Sequence, residues 1–467
     1  MVRAGVLWAI HANTSVAEQK LQNTLIARVA TILFLILLLL IPLGMIQGIV
    51  SDRQQLQTQV ETTIANSFAG TQRVIGPVLV IPYVERETQV TVNDKGREVK
   101  HVKEHSRQIF MVPELLRYDG SADIESKQKG LYKALVYQTK GILRARFDVP
   151  ANLGLATNPA AITAGSAYLA FGISDLRGLR GTPKATWDGL ALRIGNGTKF
   201  DAITDGIHAE VGNVQSGEAK SFEVTINMDL AGTRSLAFTP IGKNTTVELR
   251  AAWPHPNFGG RFLPVSKTID DKNFHARWEV SHLASKNEAI LRSGVKDQKP
   301  QDALESFDVA FIEPVNIYQQ AERAVKYGVL FVALTFAAFF LFETLKNLRI
   351  HPLQYGLVGL AIAVFFLLLI SLSEHLSFVY AYMIASTACI VLIGFYLSHV
   401  LGGWRRGAAF AAKLTLLYGV LYGLLLSEDN ALMLGSLLLF AVLAAFMVLT
   451  RRVDWYQLGA RKTVAEK

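Results

Sequence analysis

Cysteine is almost absent from this sequence of 467 residues, in which Cys389 is the only one. An intrachain disulfide is therefore excluded, and any folded domain must bury enough apolar surface to be stable without one. Charged residues are also scarce, at 18% of the chain, whereas hydrophobic residues make up 51%. The apolar residues are concentrated in long runs, which favours a membrane protein with a separate folded domain.

Motifs of known catalytic or metal sites are absent as well. His101 and His105 flank Glu104, but the order of a zinc-protease motif is missing. Gly242-Lys243 lacks the flanking residues of a phosphate-binding loop, and Gly165-Ser166 lacks the glycines of a nucleophile elbow. We therefore predict no metal, no cofactor and no catalytic residue, and the sequence does not favour an enzyme.

A surplus of positive charge is missing from the one segment large enough to form a soluble domain. The chain has a net charge of +9, but residues 51–327 contain 34 Lys and Arg against 31 Asp and Glu. A nucleic-acid-binding domain would carry a basic stripe on its surface. Most of the surplus lies beside the apolar runs, so we predict the lipid bilayer as a partner and exclude nucleic acid.

Six apolar runs are each long enough to cross about 30 Å of hydrocarbon as a helix. The sequence therefore predicts six transmembrane helices at residues 29–50, 328–345, 353–372, 377–400, 407–426 and 431–449. The first run exceeds the apolar core of a signal peptide, and no typical cleavage site closely follows it. We interpret residues 29–50 as an uncleaved anchor and residues 328–449 as a five-helix transmembrane bundle.

Lys and Arg are absent from two of the connections, 373–376 and 427–430. Basic residues instead flank the other ends of the runs: Arg3, Lys20, Arg28, Lys346, Arg349, Arg405, Arg406, Arg451 and Arg452. Because basic flanks stay in the cytoplasm, both termini are predicted to be cytoplasmic, with tails at 1–28 and 450–467. The predicted location is the bacterial inner membrane, with residues 51–327 in the periplasm.

The periplasmic domain, residues 51–327, is predicted to be β-rich, with a helical stalk at each end. Short runs of β-branched and aromatic residues occur at 78–83, 141–149, 168–173, 221–228, 245–251, 275–282 and 307–312. Several of these runs alternate apolar and polar residues between turn signals, which is typical of an antiparallel sandwich or a related β-fold. The ends of the domain, 51–72 and 315–327, have helical patterns and are expected to pair.

Several segments resemble the CreD family of inner-membrane proteins. They include LSEDNALMLGS at 426–436, MVLTRRVDWY at 447–456, HPLQY at 351–355, SDLRG at 174–178, GIHA at 206–209 and WPHPNF at 253–258. The similar blocks follow in order along nearly the whole chain. The resemblance implies a role in cell-envelope integrity, associated with a two-component response to nutrient and envelope stress. It implies no catalytic residue.

The two periplasmic connections of the bundle both carry acidic residues. Glu374, His375, Glu428 and Asp429 follow Leu-rich runs. If the helical hairpins pack side by side, this outer-face polar group is a candidate site for a cation, a lipid headgroup or a proton relay. The alternative is that short outer loops simply need polar residues. Glu343, inside the second run, is interpreted as structural and paired with Lys346 one turn later.

A second candidate site is the loop around Trp253, His255 and Phe258, in which prolines restrict the backbone. We interpret it as a candidate partner-binding loop, although its aromatic residues also suit a buried core. The leading hypothesis is a non-enzymatic protein whose outer domain recognises a periplasmic protein or an envelope component. The alternative is a transporter or lipid-handling enzyme that uses the outer-face polar group. The sequence leaves the oligomeric state open.

Overall fold

The fold was obtained as a computed structural model. It describes residues 2–92, 98–154, 162–214, 218–293, 299–313, 317–346, 350–427 and 431–451. Within these ranges, side chains are described except at 2–27, 88–92, 98–101, 152, 344–346, 431, 432 and 449. The chain divides into a helical unit, Met1–Leu56 with Val315–Lys467, and a β-rich unit, Gln57–Pro314.

The described residues contain nine α-helices. Their bounds are α1 Val2–Ser67, α2 Asn287–Ser293, α3 Pro300–Ala303, α4 Ile317–Lys326, α5 Gly328–Lys346, α6 Pro352–Ser373, α7 Phe378–Val400, α8 Trp404–Leu426 and α9 Ala431–Thr450. Each of the six predicted transmembrane runs lies in one of them, except that Ser377 precedes the first residue of α7. Two helices, α2 and α3, belong to the β-rich unit and were not predicted.

Four helices in the described part of the chain are long and apolar enough to cross a membrane: residues 28–67 of α1, and α6, α7 and α8. A fifth span results if α4 and α5, which meet at a 41° bend, count as one. The apolar part of α9, Met433–Val448, is shorter. The structure thus supports four or five spans by length and composition, and the predicted number of six is not confirmed.

Helix α1 packs on the other membrane helices through one face. Leu39, Leu43, Ile46 and Val50 recur at helical spacing and are buried, whereas the opposite face is exposed at Leu33, Phe34, Leu37, Ile41 and Met45. Gly359 of α6 makes room for this face, because a Cβ atom there would lie 2.1 Å from Leu39 Cδ1. A small residue at such a contact is typical of helices that pack closely in lipid.

The β-rich unit contains seventeen described strands. They are β1 Gln72–Val92, β2 Glu98–Met111, β3 Leu115–Lys129, β4 Tyr132–Val149, β5 Ile162–Ala164, β6 Ala167–Ile173, β7 Lys184–Trp187, β8 Leu190–Ala191, β9 Arg193–Asn196, β10 Gly206–Gly212, β11 Lys220–Thr233, β12 Ser235–Thr239, β13 Asn244–Ala251, β14 Pro256–Gly260, β15 Ser266–Ile269, β16 Phe274–Ser281 and β17 Phe307–Phe311. Each of the seven predicted strand runs falls largely within one of them.

The strands form two sheets among the described residues. A nine-stranded sheet runs β14-β17-β12-β1-β6-β10-β9, with β2 and β5 also paired to β1, and an eight-stranded sheet runs β15-β16-β13-β3-β4-β11-β7-β8. Most described pairings are antiparallel, as predicted, but both sheets are mixed, because β1 pairs parallel with β12 and β3 pairs parallel with β13. These parallel partners are far apart in sequence, so no hairpin sets their direction. The predicted sandwich is not confirmed.

Buried and exposed side chains alternate along the strands, and the buried ones form the core of the β-rich unit. In β4, for example, Leu143, Ala145 and Phe147 are buried, while Arg144 and Arg146 between them are exposed. The cluster of buried apolar residues draws on strands of both sheets, including Val78 and Leu79 of β1 and Trp278 of β16. The unit thus has a large apolar core without any disulfide.

The last turns of α1 belong to the β-rich unit and are held there by polar contacts. Asp175 Oδ2 accepts hydrogen bonds from the Gly70 backbone N–H at 2.9 Å and from Arg177 Nη2 at 2.7 Å. Arg177 also donates to the backbone carbonyl of Asn66, in the last turn of α1. Arg234 lies one residue beyond strand β11, and its Nη2 pairs with Glu61 Oε2 of α1 at 2.7 Å. Within the β-rich unit, Arg177 and Arg234 therefore both hold the end of α1.

We expect the Asp175 contact to be lost in acid. The hydrogen bonds from Arg177, and secondarily those from backbone N–H groups, lower the pKa of Asp175 to about 2. A carboxyl with a lowered pKa stabilises the fold above its ordinary pKa of about 4, and this contribution is lost as the pH falls towards 2. Asp175→Asn should therefore lower the thermal unfolding midpoint of the purified chain near neutral pH.

The difference between Asp175→Asn and the unchanged protein should shrink as the pH falls from about 4 to about 2. The control is Asp123→Asn, at an exposed position of β3. A difference that stayed constant with pH, or one that Asp123→Asn reproduced, would show that the charge of Asp175 does not stabilise this junction.

Candidate functional site

Glu374 of the predicted outer-face polar group caps the C-terminus of α6 and forms an ion pair with α1. Its Oε1 lies 3.2 Å from Arg53 Nε. The carboxylate is largely buried, with 9% of the side chain exposed, whereas 38% of the Arg53 side chain is exposed. The two atoms are at ion-pair distance, but no hydrogen bond to Oε1 is formed by any described residue. The attraction is thus mainly Coulombic, in surroundings of lower dielectric than water.

A second polar contact joins α1 to α4 one residue later. Gln54 Nε2 donates to Glu322 Oε2 at 3.0 Å, and Lys326 Nζ lies 2.8 Å from Glu322 Oε1. Gln54 and Glu322 belong to the two segments that were expected to pair as a stalk. Arg53 and Gln54 are neighbours on α1, so this turn of the helix is tied to both α4 and α6.

The rest of the outer-face polar group is not joined to Glu374 in the described part of the chain. His375 is exposed, and its backbone N–H bonds to the Leu372 carbonyl at 3.1 Å. Glu428 and Asp429 lie outside the described residues. Convergence of all four residues therefore stays a prediction. The partner that sequence reasoning missed is Arg53, which is more than 300 positions away from Glu374 in the chain.

Glu343 forms the matching contact near the other end of the membrane segment of α1. Tyr355 Oη donates to Glu343 Oε2 at 2.7 Å, and Arg28 Nη1 lies 3.7 Å from Glu343 Oε1. The Glu343 side chain is only 8% exposed. The predicted partner, Lys346, has no described side chain. The acidic residue in an apolar run was the available signal, but its partners lie on α1 and α6.

The two arginines on α1 are spaced as the two surfaces of a bilayer require. Twenty-five positions separate Arg28 from Arg53, which corresponds to about 37 Å of α-helix. The hydrocarbon core of a bilayer is about 30 Å thick, or 40–45 Å with the headgroup regions. Each arginine therefore suits one interface, where its carboxylate partner is less costly than at the bilayer centre.

Further polar contacts lie inside the bundle. Tyr382 Oη donates to the Tyr418 carbonyl at 2.7 Å, and Tyr418 Oη donates to Cys389 Sγ at 3.1 Å. All three residues are buried. These hydrogen bonds join α7 to α8. Apolar contact alone would favour the neighbouring helix little over lipid, because lipid tails are equally apolar.

The candidate partner-binding loop combines one buried and one exposed part. Phe258 lies on the edge strand β14 and packs edge-on against Phe274 and Trp278, with ring centroids 5.8 and 5.6 Å apart. Trp253 is half-buried, and its Nε1 donates to the His255 carbonyl at 3.1 Å. The His255 side chain is exposed. Phe258 is therefore mainly a core residue, and Trp253 with His255 forms the surface part.

Among the described residues, no cluster of three or more His, Cys, Asp or Glu side chains is arranged to hold a metal ion. The polar groups described above are paired mainly with other side chains of the protein. Together with the apolar helices and the β-rich unit, they define an integral membrane protein in which ion pairs fasten the first helix to the other helices.

The family follows from comparison with known proteins. The family model described as inner membrane protein CreD matches residues 24–456. Inner membrane protein CreD of Escherichia coli (strain K12) is 36% identical over 449 residues, which cover 96% of this chain and 97% of that protein. The chain therefore belongs to the CreD family of inner membrane proteins, as the sequence blocks predicted, and its location in the inner membrane is confirmed.

Solved structures add little. The crystal structure of an M1 zinc metallopeptidase from Deinococcus radiodurans matches 42% of this chain and 41% of its own, with 8% identity and a TM-score of 0.20. A similarity at this level carries no argument about fold or function.

We expect Arg53 and Glu374 to be energetically coupled. Arg53→Gln and Glu374→Gln should each destabilise the helical unit, and the double variant should lose less than their sum, by on the order of 1 kcal/mol. The partial exposure of Arg53 limits the size of the effect. Unfolding of the purified chain by denaturing detergent in mixed micelles measures it. The exposed pair Arg86 and Glu104, in the β-rich unit, is the control, and strictly additive effects at Arg53 and Glu374 would contradict the coupling.

Tyr355→Phe tests the contact at the other end. It removes the hydroxyl that donates to Glu343 but keeps the ring, which contacts Phe336 and Phe339. A buried acceptor that loses its donor costs about 1–3 kcal/mol, so the same unfolding assay should show a loss in this range. Tyr380→Phe, at a side chain that is 63% exposed, should be neutral. Equal stability of the two variants would show that the Glu343 contact does not stabilise the bundle.

Proposed function

We propose that this protein supports the integrity of the cell envelope under envelope or nutrient stress. In this proposal, residues 51–327 lie in the periplasm and recognise a protein partner or an envelope component. The helices anchor this domain with six spans and both termini in the cytoplasm, and the two sheets pack as a sandwich. The resemblance to the CreD family suggests the physiological role, and the surface of the β-rich unit supports the recognition of a partner.

The topology is supported by charge. Basic flanks favour the cytoplasmic side for Arg28, Arg405 and Arg451, and the connection after α6 has no Lys or Arg. The spacing of Arg28 and Arg53 along α1 supports a position of Arg53 at the opposite surface. Glu374, the ion-pair partner of Arg53, ends α6 at this same proposed outer surface.

The observation that carries the recognition proposal is the surface part of the loop before β14, where Pro254 and Pro256 restrict the backbone. Trp253 bonds to the backbone of His255, and their rings meet edge-on at 6.4 Å. Phe258 anchors the following residues in the core. An imidazole and a half-buried indole are thus presented on a backbone that needs little further ordering, which lowers the entropy cost of binding.

We expect a double variant of this loop, Trp253→Leu with His255→Ala, to fail in complementation. In a deletion strain exposed to detergent and dye, the variant should give much weaker protection than the unchanged gene at equal abundance in the membrane. The control is His282→Ala, which removes an exposed imidazole elsewhere on the β-rich unit. Full protection by the loop variant would overturn recognition through this loop.

The same strain distinguishes the alternative of a transporter or lipid-handling enzyme. A variant with Glu374→Gln, His375→Ala, Glu428→Gln and Asp429→Asn neutralises the outer-face polar group. Because this variant breaks the ion pair between Arg53 and Glu374, the membrane level of the variant must first be shown to equal that of the unchanged protein. Protection retained by this variant and lost by the loop variant supports recognition, whereas the reverse result favours the alternative.

A further inference from the structure

A groove in the helical unit is lined almost entirely by leucine. It is a shallow groove that is open on one side, and not an enclosed cavity. Its walls come from three stretches: Tyr327, Leu330, Phe331 and Leu334 at the start of α5, Leu417, Leu421 and Leu424 on α8, and Leu438 on α9. The lining residues on α8 recur at helical spacing, so this wall is a continuous apolar strip.

The groove lies beside surface that suits lipid. Leu416, next to Leu417 on α8, is 71% exposed, and Leu437, next to Leu438 on α9, is 61% exposed. Along α5 the groove extends over about 10 Å, from Tyr327 to Leu334. Apolar side chains that line an open groove lack neighbours on one side and so forfeit dispersion contacts. A flexible hydrocarbon chain would restore these contacts.

The helix that precedes the groove, α4, carries one net positive charge. Tyr327 follows directly on α4, whose last turn carries Arg323 and Lys326. Lys326 is 65% exposed, although its Nζ lies 2.8 Å from Glu322 Oε1. A cation at the end of an apolar groove is complementary to a phosphate group attached to an acyl chain. The bend of 41° between α4 and α5 lies at this same residue.

We propose that this groove binds one acyl chain of a phospholipid in the outer leaflet, and that Lys326 contacts the phosphate of that lipid. The assignment to the outer leaflet rests on the proposed topology, in which α5 begins and α8 ends at the periplasmic surface. Phosphatidylethanolamine and phosphatidylglycerol share the phosphate and the acyl chain, so the site accepts either. Such a lipid would fill the contact between α5, α8 and α9.

The test counts lipids that remain bound to the full-length protein. The protein is reconstituted in vesicles of phosphatidylethanolamine and phosphatidylglycerol, extracted in mild detergent and weighed by native mass spectrometry. Leu417→Phe fills the groove from α8, and Leu438→Phe fills it from α9. We expect each variant to lose the peak with a bound phospholipid, or to weaken it several-fold. The controls Leu416→Phe and Leu437→Phe, on adjacent exposed positions, should retain it.

Lys326→Gln tests the phosphate contact separately. It should weaken retention of both lipids, whereas Glu322→Gln, which removes the ion pair but keeps the lysine, should not. Preference for one of the two lipids would identify the source of the phosphate. Equal retention by Lys326→Gln and the unchanged protein would overturn this contact.

Unchanged lipid retention in both groove-filling variants would overturn the proposal, provided that the variants elute as folded protein. A dimer peak that those variants abolish would overturn it too, because the groove would then be filled by a second copy of the chain. Both results are independent of the proposed recognition function, since the purified protein contains no periplasmic partner and no complementation is involved.

Discussion

Charge near a bilayer must be paired, and this requirement determines how α1 is held. Arg28 and Arg53 lie near the two ends of its membrane segment, and each meets a carboxylate of another helix, Glu343 or Glu374. Burying one such carboxylate alone would be costly, so helix and partner stabilise each other. Apolar contacts such as those of Leu39 do not by themselves select one position of α1 along its axis, because lipid competes for the same surface. The two ion pairs therefore fix the position of α1 along its axis.

The β-rich unit depends on a different balance. Its two sheets bury apolar residues on alternate positions, and the hydrophobic effect provides most of its stability. Charged contacts hold the last turn of α1 within this unit: Asp175 accepts from Gly70, and Arg177 donates to the carbonyl of Asn66. These polar contacts are directional, so they fix how the helix end sits on the sheets. Apolar burial supplies stability here, and hydrogen bonds supply the specific geometry.

Local patterns in the sequence predicted the elements well but their partners poorly. The apolar runs became helices and the alternating runs became strands, because both periodicities are local. The parallel pairing of β1 with β12 depends on residues about 160 positions apart, and no turn sets its direction. The same limit applies to the candidate sites. Glu374 and Glu343 stood out as acidic residues near apolar runs, but Arg53 and Tyr355 could be identified only once the helices were packed.

The pairing of the membrane charges also bears on function. A carboxylate that already neutralises an arginine, as Glu374 does, must give up that contact before it can bind a cation or carry a proton. A surface loop such as that of Trp253 and His255 has no comparable cost, since its side chains are presented without breaking a buried ion pair. Among the described groups, this loop is therefore the one that could bind a partner without first breaking a buried ion pair, which is in keeping with the proposed recognition. In the proposed function the membrane helices anchor this unit, and the two ion pairs of α1 hold that helix against its neighbours.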